Sequence, residues 1–132
     1  MLEDKDFCDY DTCVALREIG CRIETDWYIH QPSYEKGTCC LYRGIPQETS
    51  VLDECDYIPR ISLYEAQKWL REERGIIVDH LNSFTIMAFK YYISTWEEDI
   101  CTSNKYTTWE EALSDGIKEA TRLIIEKRIL IE

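Results

Sequence analysis

Two capped amphipathic helices constrain the fold of this chain more than any other feature. Ser62 with Glu65 three residues on, and Thr107-Thr108 with Glu110-Glu111, are capping signatures in which a hydroxyl and a carboxylate satisfy backbone N–H groups of the first turn. The first opens a helix over Ser62 to Arg74, with Leu63, Ala66 and Leu70 on one stripe, Trp69 beside it, and Gly75 ending it. The second places Trp109, Ala112, Leu113, Ile117, Ala120, Leu123 and Ile124 at helical spacing, with Asp115–Lys118 and Glu119–Arg122 as weak ion pairs on the solvated side. Between these helices Ile76 to Leu81 and Phe84 to Thr95 read as a hairpin around Asn82-Ser83. Met87, Phe89, Tyr91 and Ile93 share one face of its second strand. Ile86, Ala88, Lys90 and Tyr92 share the other, which is less polar than a bare solvent face should be.

The first half repeats the theme. Asp9 or Asp11 caps a helix over Thr12 to Ile19, closed by Gly20. Ile23, Thr25, Trp27 and Ile29 then alternate with Arg22, Glu24, Asp26, Tyr28 and His30, the signature of a half-buried strand. Gln31 to Gly37 turns the chain, and Thr38 to Arg43 returns as the partner strand. Gly44 to Arg60, with Pro46 and Pro59, reads as a long loop suited to facing a ligand. Trp96 to Lys105 reads as a second, acidic-to-polar loop. Leu16-Arg17-Glu18 and Leu70-Arg71-Glu72 sit at matching places, so the halves have the look of a decayed duplication.

The resulting order, α-ββ-α-ββ-α, predicts one α+β domain over residues 1–132. Its natural solution is an antiparallel sheet of about four strands with about three helices on one face. Trp27, Leu70, Phe89, Trp109 and Leu113 occupy the inward positions and are expected in the core.

Charge and cysteines exclude several functions. Asp and Glu number 26 against 15 Lys and Arg, a net charge of −11 that repels phosphate backbones, so direct nucleic-acid binding is not expected. An acidic chain can instead imitate nucleic acid on a basic protein. Met1 to Asp6 lacks the basic and apolar runs of a signal peptide, and no apolar run reaches transmembrane length, which leads us to expect a cytoplasmic protein. The seven cysteines are odd in number and contain no C-x-x-C pair, and only His30 and His80 add imidazoles. We therefore expect neither disulfides, nor metal, nor cofactor, with the thiols serving as small buried hydrophobes. No acidic pair or Cys–His arrangement sits in a context that demands catalysis, so a non-enzymatic protein is expected.

Asp11 to Gly20, Leu63 to Glu72, and Tyr106-Thr107-Thr108-Trp109-Glu110-Glu111-Ala112-Leu113 followed by Gly116 to Ala120 recur together in order. That order resembles a group of small phage and prophage proteins of uncharacterised activity found in viruses of Bacteroidetes. In that group a leucine–lysine–glutamate helix precedes a glutamine–lysine–tryptophan–leucine–arginine–glutamate helix, a tyrosine-rich hairpin and a glutamate–glutamate–alanine–leucine helix. The resemblance implies a viral origin and not an activity, because the group has no agreed catalytic residues to carry over.

Such proteins act mostly by binding, and two tasks fit. One is sequestering a nucleotide-type immune signal; the other is covering a host defence protein. For the first, Arg60 and Ser62 stand where helix N–H groups favour an anion. Arg43, Lys68, Arg71 and Lys90 add positive charge, and Tyr42, Tyr92 or Trp96 offers a stacking face. The outer face of the hairpin and the apolar tail Ile129-Leu130-Ile131 lead us to expect a homo-oligomer.

Overall fold

Asp9 starts the first helix: its carboxylate accepts the Thr12 N–H at 2.8 Å, one of the donors a helix start leaves without a partner. Helix α1 spans Tyr10–Glu18, two residues earlier than the spacing predicts, because Asp9 and not Asp11 is the cap. The chain leaves it through Gly20 at φ 101°, a left-handed conformation that side chains disfavour. The computed structural model describes residues 4–23, 25, 27–30, 41–43, 57–83, 88–102 and 105–126. Much of the expected ligand-facing loop, the turn before the second strand, Ile86, Met87 and the tail Ile129 to Ile131 lie outside the described residues, as do Cys39, Cys40 and Cys55.

The fold is α+β. Strands β1 (Trp27–His30), β2 (Leu41–Arg43) and β3 (Tyr57–Pro59) form an antiparallel sheet in the order β2-β1-β3. Helix α2 (Leu63–Arg74) leads into β4 (Ile76–Ser83), β5 (Ala88–Thr95) and β6 (Asp99–Thr102), an antiparallel sheet in the order β4-β5-β6, and α3 spans Trp109–Ile125. The four strands expected from alternation are all present, but they divide between two sheets, and each sheet gains an edge strand from a stretch read as loop. Both added strands are short. β3 ends in Pro59, whose missing N–H is tolerated at an edge, and β6 is too polar for its period to show. The central strand is the first of three in one sheet and the second of three in the other, so the halves do not share a sheet topology.

Helices α2 and α3 pack on one face of the second sheet, while α1 lies against α3 and β3. The side-chain amide of Gln67 donates to the Val78 carbonyl at 2.8 Å, tying α2 to β4. Leu16, Ile61, Leu70, Ile76, Ile93 and Ile117 are fully buried in one core spanning these layers. Leu70 and Leu113 are core residues as expected, and Phe89 is half-buried. Trp27 and Trp109 are not core: they remain 42% and 39% exposed. Each is the first residue of its element, where an apolar stripe reaches the rim of the layer. Arg122 pairs with Glu119 as expected, but Lys118 reaches Asp9 at 2.7 Å instead of Asp115, closing α1 onto α3. No helix among the described residues is long and apolar enough to cross a membrane.

Candidate functional site

The starts of α2 and α3 come together. At α2 the cap is reciprocal, with the Glu65 N–H donating to Ser62 Oγ and the Ser62 N–H donating to Glu65 Oε1, both at 3.1 Å. At α3 the Thr108 hydroxyl accepts the Glu111 N–H at 3.2 Å. Between the two starts opens a cleft of about 410 Å³, lined by Asp6, Ser62, Leu63, Tyr64, Gln67, Trp109 and Leu113. Its walls are mostly apolar, and its size falls in the range of small-molecule sites. Tyr64 and Trp109, which both line the cleft, are 65% and 39% exposed. The Trp109 ring packs on His80 with centroids 5.3 Å apart, and His80 in turn lies 6.3 Å from the Phe89 ring.

A second cavity of about 360 Å³ lies on the other side of the segment Lys5-Asp6-Phe7. Phe7, Asp9, Tyr106, Glu110, Glu111 and Asp115 line it, and Lys5 reaches Glu110 at 3.2 Å. Burial pushes the Tyr106 hydroxyl well above its ordinary range, and the hydrogen bond and charge of Asp115 push it further. With four carboxylates on its walls, this cavity repels anions.

The residues expected to bind a ligand do not converge on one place. Ser62 lines the cleft, but its hydroxyl is already the α2 cap. Arg60 lies with its guanidinium carbon 4.0 Å above the Phe7 ring. Lys68 and Arg71 are exposed on α2, four and seven residues beyond Tyr64 and so on the same face. Lys90 and Tyr92 stand on the far side of the second sheet, opposite Leu81 and Asp79, because Tyr91 between them faces α3. The Arg43 and Tyr42 side chains lie outside what the structure describes.

Sequence reasoning missed Tyr64 and Trp109. Tyr64 sits off the Leu63–Ala66–Leu70 stripe, and an aromatic on the polar side of an amphipathic helix is the signal that marks it. Trp109 lies on its helix's apolar stripe and gives no such signal.

Among the described residues no group of three or more His, Cys, Asp or Glu side chains gathers as a metal site would. Cys8, Cys13 and Cys21 are buried, free thiols. Burial raises all three, Cys13 to about 11, so they are poor nucleophiles and poor ligands. No known family model, curated protein or solved structure matches the chain.

Proposed function

We propose that this protein acts by binding, and that the cleft between α2 and α3 captures the base of a nucleotide-type signal. The observation that carries this is the pair of accessible aromatic side chains, Tyr64 and Trp109, on the walls of an apolar cleft of about 410 Å³. Aromatic walls accept any base by stacking, which needs no sequence-specific partner. The charge layout gives the ligand a direction. The acidic cavity lies behind Lys5-Asp6-Phe7, whereas Lys68 and Arg71 continue along α2 from Tyr64 and offer the phosphates a route into solvent. The resemblance to phage proteins supports a viral origin, and on that footing we read the task as counter-defence in a host cytoplasm, by sequestering an immune signal without consuming it.

Mass spectrometry of small molecules released by heating the protein after incubation in infected-cell lysate tests this reading. An intact nucleotide is expected. Tyr64→Ala and Trp109→Ala should each weaken its binding about 5- to 150-fold, the equivalent of about 1–3 kcal/mol of stacking. A ligand returned chemically altered, or binding indifferent to both substitutions, rejects the proposal.

A second reading has its own observation. Trp96 is 76% exposed in the β5–β6 turn and is followed by Glu97, Glu98 and Asp99, an aromatic anchor with an acidic rim. That surface suits an inhibitor covering a basic host defence protein, and pull-down of one such protein, lost in Trp96→Ala, is its expected result. Self-association belongs to either reading. Leu81 and Tyr92 leave the outer face of the second sheet partly apolar, and sedimentation at micromolar protein should show a dimer.

A further inference from the structure

Strand β4 dictates how Gln67 sits in the cleft wall. Phe89 exchanges both backbone hydrogen bonds with Tyr106, at 3.0 and 2.7 Å, so Phe89 and Tyr91 turn their peptide groups away from β4. Lys90 and Tyr92 turn theirs towards it and pair with Leu81 and Asp79. Val78 and His80 alternate with these on β4 and therefore face the outer edge of the sheet, where β4 has no neighbouring strand among the described residues. Each finds a side-chain partner there. The His80 N–H donates to Asp79 Oδ1 at 2.8 Å, and the Val78 carbonyl accepts from Gln67 Nε2 at 2.8 Å.

A carbonyl only accepts, so the Gln67 amide must present its NH2 group to Val78. Turning the amide over would set oxygen against oxygen and leave the Val78 carbonyl without a donor. Gln67 Oε1 is thereby held away from β4. It takes no donor from the described residues, yet it is not sealed from solvent, and Gln67 lines the cleft. Trp109 docks on the same strand. Its ring packs on His80 at 5.3 Å, two residues beyond Val78 and so about 7 Å along β4. A base lying against Trp109 has the Gln67 amide at its edge.

We propose that Gln67 sets the base preference of the cleft. Its Oε1 accepts a hydrogen bond from an exocyclic amino group, so the site takes an amino-bearing base, adenine being the type, over one without that donor. Amide side chains read adenine through the same amino group elsewhere. The bond to Val78 is what makes the acceptor selective, because an amide free to turn would offer a donor equally well. The inference deepens the reading of the cleft as a base-binding site and rests on it.

NMR titration of the full chain with adenosine 5′-monophosphate and with purine riboside 5′-monophosphate tests this, since the two differ only in the exocyclic amino group. The unaltered protein should bind the adenine nucleotide about 2- to 12-fold tighter, the worth of one hydrogen bond. Gln67→Met keeps the length of the side chain without its polar atoms and should bind the two nucleotides alike, its amide spectrum reporting that it is folded. Equal affinities in the unaltered protein overturn the assignment, whether or not the variant folds. So does a preference that survives Gln67→Met, which would place the acceptor on another side chain such as Asp6. Neither result touches the cleft itself if Tyr64→Ala and Trp109→Ala weaken both nucleotides. Nucleotides that bind without regard to either aromatic, or not at all, overturn the cleft and the role of Gln67 with it.

Discussion

Gly116 lies so close to Tyr91 that a Cβ on the glycine would stand 2.9 Å from the Tyr91 Cβ and equally close to Val78 Cγ1. This is where α3 presses on β4 and β5. The Tyr91 Cβ is fixed to backbone and cannot swing away, so a methyl at position 116 must push the helix off the sheet. Gly116→Ala gains helix propensity of up to about 1 kcal/mol. Overpacking works against it by about 1–3 kcal/mol. Chemical denaturation should show a net loss of stability, and a neutral or stabilised variant would mean that the helix shifts freely.

The Asp9–Lys118 pair, at 2.7 Å, joins the α1 cap to α3. Burial alone would raise the Asp9 carboxyl, but the hydrogen bonds from Lys118 and Thr12 outweigh it and hold it below its ordinary 3.8. The same contact raises Lys118 above its ordinary 10.5, with burial a lesser opposing effect. A depressed acid stabilises the fold above its unfolded value, and that stability is lost as pH falls through the folded one. A raised base stabilises below its unfolded value and loses this as pH climbs through its folded one. The pair therefore contributes most between about pH 5 and 9. Both side chains are about half exposed, so solvent screening limits the effect to less than about 1 kcal/mol. Asp9→Asn keeps the cap and removes the charge. It should lower the thermal midpoint at neutral pH, with a difference that narrows below pH 3.8. A difference constant across that range would count against the ion pair.

The helices were legible in the sequence because their signals are local. Asp9, Ser62 and Thr108 cap within three residues of themselves, and Gly20 and Gly75 take left-handed conformations at φ 101° and 66°. The strands β3 and β6 were not legible, since three or four residues at a sheet edge are set by the neighbour they pair with rather than by their own period. The cleft was missed for a related reason. Periodicity tells which face of its own helix Trp109 occupies, but not whether another element covers that face. Of the residues expected to bind, Ser62 lines the cleft and Lys68 is exposed on α2, while Lys90 and Tyr92, which composition alone suggests, face the other side of the second sheet.

Cys8, Cys13 and Cys21 should resist a thiol reagent under native conditions. Each is buried, and burial also disfavours the thiolate that would react. Cys101 is only partly buried, on edge strand β6, and should be modified first among these four. Mass spectrometry after timed labelling and proteolysis checks the order. Early modification of Cys13 would show that α1 opens locally.

Leu70 and Tyr64 lie on different faces of the same helix, and their truncation should separate folding from capture. Leu70 is fully buried between α2 and the second sheet, and its removal leaves a cavity in a core whose neighbours are held by two layers. Leu70→Ala should cost about 2–5 kcal/mol. Tyr64 lies on the cleft wall and is largely exposed, so Tyr64→Ala should change stability by less than about 0.5 kcal/mol. The two variants therefore make a paired control. Urea midpoints should fall only for Leu70→Ala, and nucleotide affinity at a temperature where both are folded should fall only for Tyr64→Ala. If Tyr64→Ala proves as destabilising as Leu70→Ala, Tyr64 is a packing residue and the cleft loses its aromatic wall. If neither variant alters affinity, ligand capture belongs to a different surface, and Trp96 is the first place to look.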